Sequence, residues 1–285
     1  MLSGLCRKGS EKSELKIGLV FFGQPRYVES KLSSISHKIR LRNFSYKTIG
    51  HVWFSTENKE YTTAPWSEIS KLEIPNNSIK ILKKTYPGIA LEIESPRVFR
   101  IDQMQRLIKE AKYKKNKLKY LEEISALPNT LSGLYSINRA LSIARKLHEE
   151  SPFDYLILSR YDTLIWRFPR VKDLPLDKLT ISNDKGPGFP DLIFCGPPNM
   201  IFSLDSFPIF NDILKDSKNL DKFTGETFKK ISFLNYFTLK DVNVIPTHIH
   251  ILRSNKLSHA LVFAPFKYLK NKVRIRMRLK NLISR

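Results

Sequence analysis

Two charged side chains follow directly on an apolar segment in the middle of the chain. Residues 155–158 (Tyr-Leu-Ile-Leu) have the composition of a buried strand, and the next residues include Arg160 and Asp162. Burying either charge without a partner is costly, so these groups must pair with each other, reach water or contact a ligand. A structural Arg160–Asp162 pair without a chemical role and a ligand-binding site both satisfy this requirement.

The end of the first predicted strand shows a similar pattern. Residues 15–23 form a strong apolar strand that ends at Gly23, and Gln24, Pro25 and Arg26 follow it. Ligands of open α/β sheets bind beyond the carboxyl ends of the strands. Gly23 permits a close backbone approach there, and the planar guanidinium of Arg26 can hold a phosphate or a carboxylate. The alternative is an ordinary strand-to-helix turn.

Alternating strands and helices must position these residues, and this order is typical of a three-layer α/β domain with a mainly parallel central sheet. Two phosphate-binding motifs are excluded, because neither a Gly-Lys-Ser/Thr sequence nor a dinucleotide fingerprint follows the first strand. We predict strands at 15–23, 49–56, 155–158 and 241–253, a strand or strand plus turn at 78–88, a short strand within 192–204, and helices at 102–121, 131–150 and 225–237.

Composition restricts the class of partner. The chain has 285 residues, of which 41% are hydrophobic, and this is ample for a globular core. Lys plus Arg number 49 against 27 for Asp plus Glu, and the formal charge of +22 favours nucleic acid, an acidic membrane surface or phosphorylated small molecules. We expect no nucleic-acid partner, because the sequence has no zinc spacing, helix-turn-helix signal or aromatic RNA-binding motif.

Cysteine usage and the amino-terminal residues indicate the compartment. Cys6 and Cys195 lie far apart, which excludes a disulfide framework and favours a reducing environment. The first 16 residues carry charges where a signal peptide needs an apolar stretch, and no apolar run approaches the roughly 20 residues of a membrane span. We therefore expect a cytoplasmic protein that is able to act at a membrane surface.

Several segments together resemble a group of bacterial and viral glycosyltransferases of GT-A type. They are KIGLVFFGQPR near the start, SGLYSINRALSIA on a predicted helix, FDYLILSRYDTLIW, PDLIFCGPPNMI and GETFKK. In that group the first strand ends in Gly-Gln-x-Arg, and a later strand ends in Arg-x-Asp where related enzymes carry a metal-binding Asp-x-Asp. The resemblance covers roughly residues 16–250. It implies a GT-A-like, Rossmann-like fold and transfer of a sugar from a nucleotide-diphosphate sugar to a saccharide or lipid-linked acceptor.

The resemblance implies a donor site made of two motifs and one helix. Its candidate residues are Gly23, Gln24, Arg26, Tyr135, Ser136, Arg139, Arg160 and Asp162. The leaving diphosphate needs charge stabilisation, which Mg²⁺ or Mn²⁺ on Asp162 could supply. Because this chain has arginine at position 160, a single acid of the metal-binding pair remains, and Arg160 and Arg26 could supplement or replace the ion.

The acceptor side needs a base if the reaction inverts configuration. Asp191, after a Gly-Pro-rich loop, and Glu226, at a predicted helix start, are the candidate catalytic residues. Glu226 could instead complement the helix dipole, and a retaining enzyme would need neither residue as a base. Late histidines often reach the metal in this fold, which makes His248 a candidate metal ligand; His250 lies two residues on, and a structural role is the alternative.

The carboxyl-terminal segment 266–285 lacks acidic residues and interleaves cations with apolar residues. It could rest on anionic lipid, and this would suit a lipid-linked acceptor of surface polysaccharide or lipopolysaccharide synthesis; a solvated tail is the alternative. We therefore divide the chain into an extension (1–15), a glycosyltransferase domain (16–265) and a basic tail (266–285). An inactive sugar-nucleotide-binding relative and a basic nucleic-acid-binding protein are the competing interpretations.

Overall fold

A computed structural model describes residues 15–57, 60–62, 71–97, 99, 117–182, 188–190, 192–215, 224–245 and 248–251. The strands are β1 (Ile17–Phe22), β2 (Tyr46–Trp53), β3 (Glu60–Thr62), β4 (Lys71–Glu73), β5 (Ala90–Glu94), β6 (Tyr155–Arg160), β7 (Thr163–Arg167), β8 (Leu179–Ser182), β9 (Ile193–Gly196), β10 (Val242–Ile245) and β11 (His248–Ile251). The α-helices are α1 (Leu32–Arg40), α2 (Ser78–Thr85), α3 (Lys117–Glu150), α4 (Pro198–Phe202), α5 (Phe210–Lys215) and α6 (Gly225–Leu234). Short 3-10 turns lie at Val28–Ser30, Val171–Asp173 and Leu239–Asp241.

Seven of the described strands form one central sheet in the order β10-β8-β9-β6-β1-β2-β5. The pairs β6-β1, β1-β2, β2-β5 and β10-β8 are parallel, whereas β9 runs antiparallel to both of its neighbours. Strands β7 and β11 form a separate antiparallel pair, as do β3 and β4. The chain is therefore an α/β protein with a mainly parallel central sheet.

The central strands are apolar on both faces because helices cover both sides of the sheet. On one face, Val20 of β1 and Leu158 of β6 pack against Ile137, Leu141 and Ala144 of α3. The opposite face carries Phe21 and Ile157, which belong to the core cluster that also contains Leu82 of α2, Leu41 just after α1, and Tyr86. This arrangement has three layers, as the sequence predicts.

Most predicted elements are confirmed, but their limits differ. The predicted strand at 155–158 extends to Arg160, and the predicted helix at 131–150 is the second half of α3, which begins at Lys117 and contains Pro128. The helix predicted at 225–237 is α6 and ends at Leu234. Of the helix predicted at 102–121, residues 102–116 lie outside the described part of the chain.

Two predictions of secondary structure were wrong. The segment predicted as a strand or strand plus turn at 78–88 is helix α2, because Ser78 and Leu82 lie one helical turn apart and are both buried. The single late strand predicted at 241–253 is two strands in different sheets. β10 continues the central sheet beside β8, whereas β11 pairs with β7.

Within the described residues, none of the helices has the length and apolar character that crossing a bilayer requires. The predicted amino-terminal extension lies outside these residues except for Leu15, and the predicted basic tail lies outside them entirely. The proposed domain limits therefore stay predictions.

Candidate functional site

The two sequence motifs meet at the carboxyl edge of the central sheet. In the parallel pair β1-β6, Phe22 lies opposite Arg160, so Gly23 and Tyr161 leave the sheet side by side. Arg26 is close enough to Asp162 for its charge to lower the pKa of that carboxyl. The convergence of Gly23, Arg26, Arg160 and Asp162, which the sequence predicts, is present in the structure.

Arg160 and Asp162 form a bidentate ion pair. Arg160 Nε donates to Asp162 Oδ1 at 2.8 Å, and Nη2 donates to Oδ2 at 2.9 Å. The Asp162 side chain is 2% exposed and that of Arg160 is 24% exposed. Burial alone would raise the pKa of Asp162, but the charge and hydrogen bonds of Arg160, together with the charge of Arg26, outweigh burial and lower it. Asp162 is therefore an anion that orients Arg160 at the edge.

The Tyr161 ring, between Arg160 and Asp162, packs in the core of the protein. It stacks on Phe21 of β1, with 5.1 Å between ring centroids and an interplanar angle of 20°. The hydroxyl lies over Gly50 of β2, where any Cβ would overlap it. Because the tyrosine between the two charged residues is fixed in the core, the backbone on both sides of it is fixed as well.

The loop after β1 carries Gln24 and Arg26. Arg26 Nε donates to Gln24 Oε1 at 2.6 Å, which orients a half-buried guanidinium at the edge. Gly23 has a φ of 99°, a conformation that favours glycine, and a Cβ built there would meet no atom within 4 Å. Tyr27 and Lys31 also have positive φ values of 55° and 57°. Such backbone strain is common where a loop contacts a ligand.

Hydrogen bonds from the core fix both backbone polar groups of Gly23. Its N–H donates to Ser136 Oγ of α3 at 2.7 Å, and its carbonyl accepts from the N–H of Trp53 at 3.2 Å. Ser136 Oγ is also hydrogen-bonded to His51 Nδ1 of β2 at 2.7 Å, with the direction set by the histidine tautomer. Burial lowers the pKa of His51 to about 4, so this histidine is neutral. Ser136, predicted to bind the donor, is fully buried and supports Gly23 in this arrangement.

A second charged cluster lies farther along the same edge, at the end of β5. Arg139 of α3 forms an ion pair with Glu92, and its Nε lies 3.4 Å from Glu94 Oε1. Tyr135 donates its hydroxyl to Glu94 at 3.1 Å, and Arg97 Nη2 donates to Glu94 Oε2 at 2.5 Å. Tyr135 and Arg139, predicted donor-binding residues, thus lie together at the end of β5, a strand three spacings or ~14 Å from β6.

Aromatic rings pack against the charged cluster at the end of β5. Trp53, at the end of β2, stacks on Tyr135 with 5.3 Å between ring centroids and an interplanar angle of 22°. The guanidinium carbon of Arg97 lies 4.9 Å from the centroid of the same tyrosine ring. Glu92, Glu94 and Arg97 were not predicted as site residues from the sequence. The available signal was a pair of carboxylates at alternate positions of a short strand, followed by an arginine.

The two candidate bases differ in what the structure describes. Glu226 lies in the first turn of α6, where Thr224 caps the helix by accepting from the N–H of Thr227 at 3.4 Å. The carbonyl of Glu226 accepts from the N–H of Phe189 at 3.0 Å, and Gly188 approaches the same backbone so closely that a Cβ would overlap it. This position suits a carboxylate that complements the helix dipole. Asp191 lies outside the described residues.

The described residues fit a metal ion poorly. Among them, no group of three or more His, Cys, Asp or Glu side chains is placed to hold a metal ion, and both oxygens of Asp162 are bonded to Arg160. The backbone of His248 pairs with Arg167 at the far end of β7, whereas His250 pairs with Leu164. Arg167 lies about 13 Å along the strand from Thr163, the residue after Asp162. This register does not favour an ion shared by Asp162 and His248, and metal binding stays a prediction.

No protein-family model matches the sequence, and a search of curated proteins finds no match either.

Proposed function

We propose that the chain is a glycosyltransferase of GT-A type that uses a nucleotide-diphosphate sugar as donor and a saccharide or lipid-linked molecule as acceptor. The observation that carries this proposal is the meeting of Arg26 with the Arg160–Asp162 pair at the carboxyl edge of a mainly parallel sheet. Ligands bind at that edge in open α/β folds. Two of the motifs that resemble the glycosyltransferase group, Gly-Gln-x-Arg and Arg-x-Asp, meet there.

The diphosphate is assigned to Arg26 and Arg160. Both guanidinium groups act on the buried carboxylate of Asp162 at the carboxyl edge, and planar guanidinium groups bind phosphate oxygens through paired hydrogen bonds. As the sugar is transferred, negative charge develops on the leaving diphosphate, and oriented guanidinium groups stabilise it without reorganisation. Asp162 acts by holding Arg160 in position. The open space at Gly23 allows the diphosphate to approach the backbone.

The nucleoside end of the donor is assigned to the cluster at the ends of β2 and β5. A base can stack on the Trp53–Tyr135 pair once Arg97 moves off the tyrosine ring, and carboxylates such as Glu94 accept hydrogen bonds from base N–H groups. His51 Nε2 lies 3.7 Å from Glu94 Oε1, so the hydrogen bonds from His51 through Ser136 to Gly23 join this cluster to the diphosphate end. We assign one extended ligand to both ends.

A titration of nucleoside diphosphates and sugar nucleotides against the protein tests the proposal. We expect a sugar nucleotide to bind and Arg26→Gln to weaken its binding about 10- to 100-fold, the range for a lost hydrogen bond to a charged group. Arg170→Gln is the matched control. Arg170 is exposed, and its charge acts on Arg40 at the far end of α1, so binding should not change.

Transfer is measured separately as release of the free nucleoside diphosphate in the presence of candidate acceptors. Binding together with release supports a glycosyltransferase. Binding without release across acceptor classes supports the alternative of an inactive sugar-nucleotide-binding relative. If no sugar nucleotide binds, or if Arg26→Gln and Arg170→Gln behave alike, the assignment of the donor site is wrong.

A further inference from the structure

Helix α1 presents an unusual exposed face. Its exposed positions and those that flank it recur at helical intervals and form one stripe. The stripe consists of Lys31, Ile35, Lys38, Ile39 and Arg42. The two isoleucines are 50% and 57% exposed, which is high for a large apolar side chain. Three cations therefore surround two adjacent apolar side chains on one face of a helix.

Helix α2 extends this face. Its exposed residues are Lys80, Lys83 and Lys84, and neither helix contains an aspartate or a glutamate. The helices are joined directly, because Lys38 Nζ donates to the carbonyl of Thr85 at 2.7 Å and lies 5.4 Å from the centroid of the Tyr86 ring. We call these eight residues the α1–α2 surface.

We propose that the α1–α2 surface docks the protein on an anionic phospholipid bilayer. Lysines and arginines bring a protein to acidic headgroups, and exposed apolar side chains between them enter the boundary between headgroups and acyl chains. Nucleic acid would be attracted to the same charge but offers no apolar phase for Ile35 and Ile39. The isoleucines therefore favour a lipid surface over nucleic acid as the partner.

The position of α1 in the fold links this surface to the remainder of the chain. The helix starts shortly after the loop that carries Arg26, so the amino-terminal end of the α1–α2 surface is continuous with that loop. On its other side, Ser36 Oγ accepts from the N–H of Ile165 in β7 at 3.2 Å, and β7 pairs with β11, the last described strand. The docking inference depends on charge and exposure alone and does not rest on the proposed activity.

Co-sedimentation of the full chain with vesicles tests the inference. Vesicles of phosphatidylcholine alone are compared with vesicles that contain about one-third phosphatidylglycerol. We expect binding to the anionic vesicles only. Since each lysine contributes about fivefold to partitioning, Lys80→Gln/Lys83→Gln/Lys84→Gln should weaken binding about a hundredfold. Ile35→Gln/Ile39→Gln should weaken it at least about tenfold, because two apolar side chains no longer enter the bilayer.

Matched controls come from exposed residues elsewhere. Leu239 and Val244 are 58% and 52% exposed, so Leu239→Gln/Val244→Gln removes the same kind of surface and should leave binding unchanged. Lys146→Gln/Lys178→Gln/Lys240→Gln removes the same charge from other exposed positions and should weaken binding less than the α2 variant. Melting temperatures of all variants exclude misfolding as the cause of a lost interaction.

A fluorescent label on Ile39→Cys, in a Cys6→Ser background, reports insertion directly, because Cys195 is fully buried. Its emission should shift to the blue on anionic vesicles, whereas a label on Leu239→Cys should not respond. The inference is overturned if wild-type protein ignores anionic vesicles. It is also overturned if the isoleucine variant binds vesicles like wild type. That result is expected if the protein binds by charge alone, or through segment 266–285 alone.

Discussion

The clearest quantitative consequence of the structure concerns two buried neutral histidines. Burial lowers the pKa of His37 and of His51 from 6.5 to about 4. His37 lies in α1 between the carbonyl of Ser33, 2.8 Å from Nδ1, and Ser159 Oγ, 3.0 Å from Nε2. His51 belongs to the hydrogen-bond chain beneath Gly23. Protonating either ring therefore disturbs a support of the candidate site.

The sign of the pH dependence follows from these values. Between pH 6.5 and pH 4 the unfolded chain binds a proton at each histidine and the folded chain does not, so stability falls as the pH falls through this window. Above pH 6.5 the two histidines are neutral in both the folded and the unfolded chain, and this loss of stability is absent. Lowering the pKa from 6.5 to about 4 corresponds to roughly 3 kcal/mol per histidine.

Urea unfolding at a series of pH values measures this effect. In the middle of the window the two histidines together should give a slope of roughly 3 kcal/mol per pH unit in the free energy of unfolding. His37→Gln and His51→Gln should each reduce that slope by about half, whatever their own stability at pH 7.5. A wild-type slope below about 1 kcal/mol per unit, or single variants with the wild-type slope, would refute the reasoning.

Three further predictions concern the candidate site. Ser136→Ala should lower the free energy of unfolding by about 1–3 kcal/mol in urea titrations, because it leaves the N–H of Gly23 without an acceptor. Ser142→Ala, on the same helix, is the control and should lower the free energy of unfolding less. Asp162→Asn should abolish nucleotide release and lower stability by about 1–3 kcal/mol, since the guanidinium at the edge loses its carboxylate partner; retained turnover would contradict its positioning role. Asp191→Asn should lower turnover at least about a hundredfold with donor affinity unchanged, whereas Glu226→Gln should have a small effect; the reverse pattern would move the base to Glu226.

Sequence patterns predicted the parts of the fold that depend on local composition. β1 and β6 are continuous apolar runs because both faces of the sheet are covered, and their ends carry the charged motifs. α2 was mistaken for a strand because Ile79, Lys80 and Ile81 alternate over too few residues to show a helical period. Only the complete segment, with Ser78 and Leu82 buried, has helical spacing.

The supports of the candidate site could not be predicted in the same way. The Arg160–Asp162 pair is local, so its geometry follows from spacing and from the cost of burying a charge. The contact between His51 and Ser136 joins residues 85 positions apart, and His51 lies in none of the segments that suggested a site. The cluster at Glu94 likewise depends on α3 crossing the ends of β2 and β5, which is a property of the three-dimensional arrangement.

The contact between Tyr161 and Gly50 imposes an evolutionary constraint on two separate segments. The tyrosine hydroxyl occupies the space that a Cβ at position 50 would need. Alanine at position 50 therefore requires the Tyr161 ring to shift or position 161 to lose its hydroxyl. In a set of natural variants the two positions should change together, with Gly50 beside tyrosine and larger residues at position 50 beside phenylalanine or a smaller side chain.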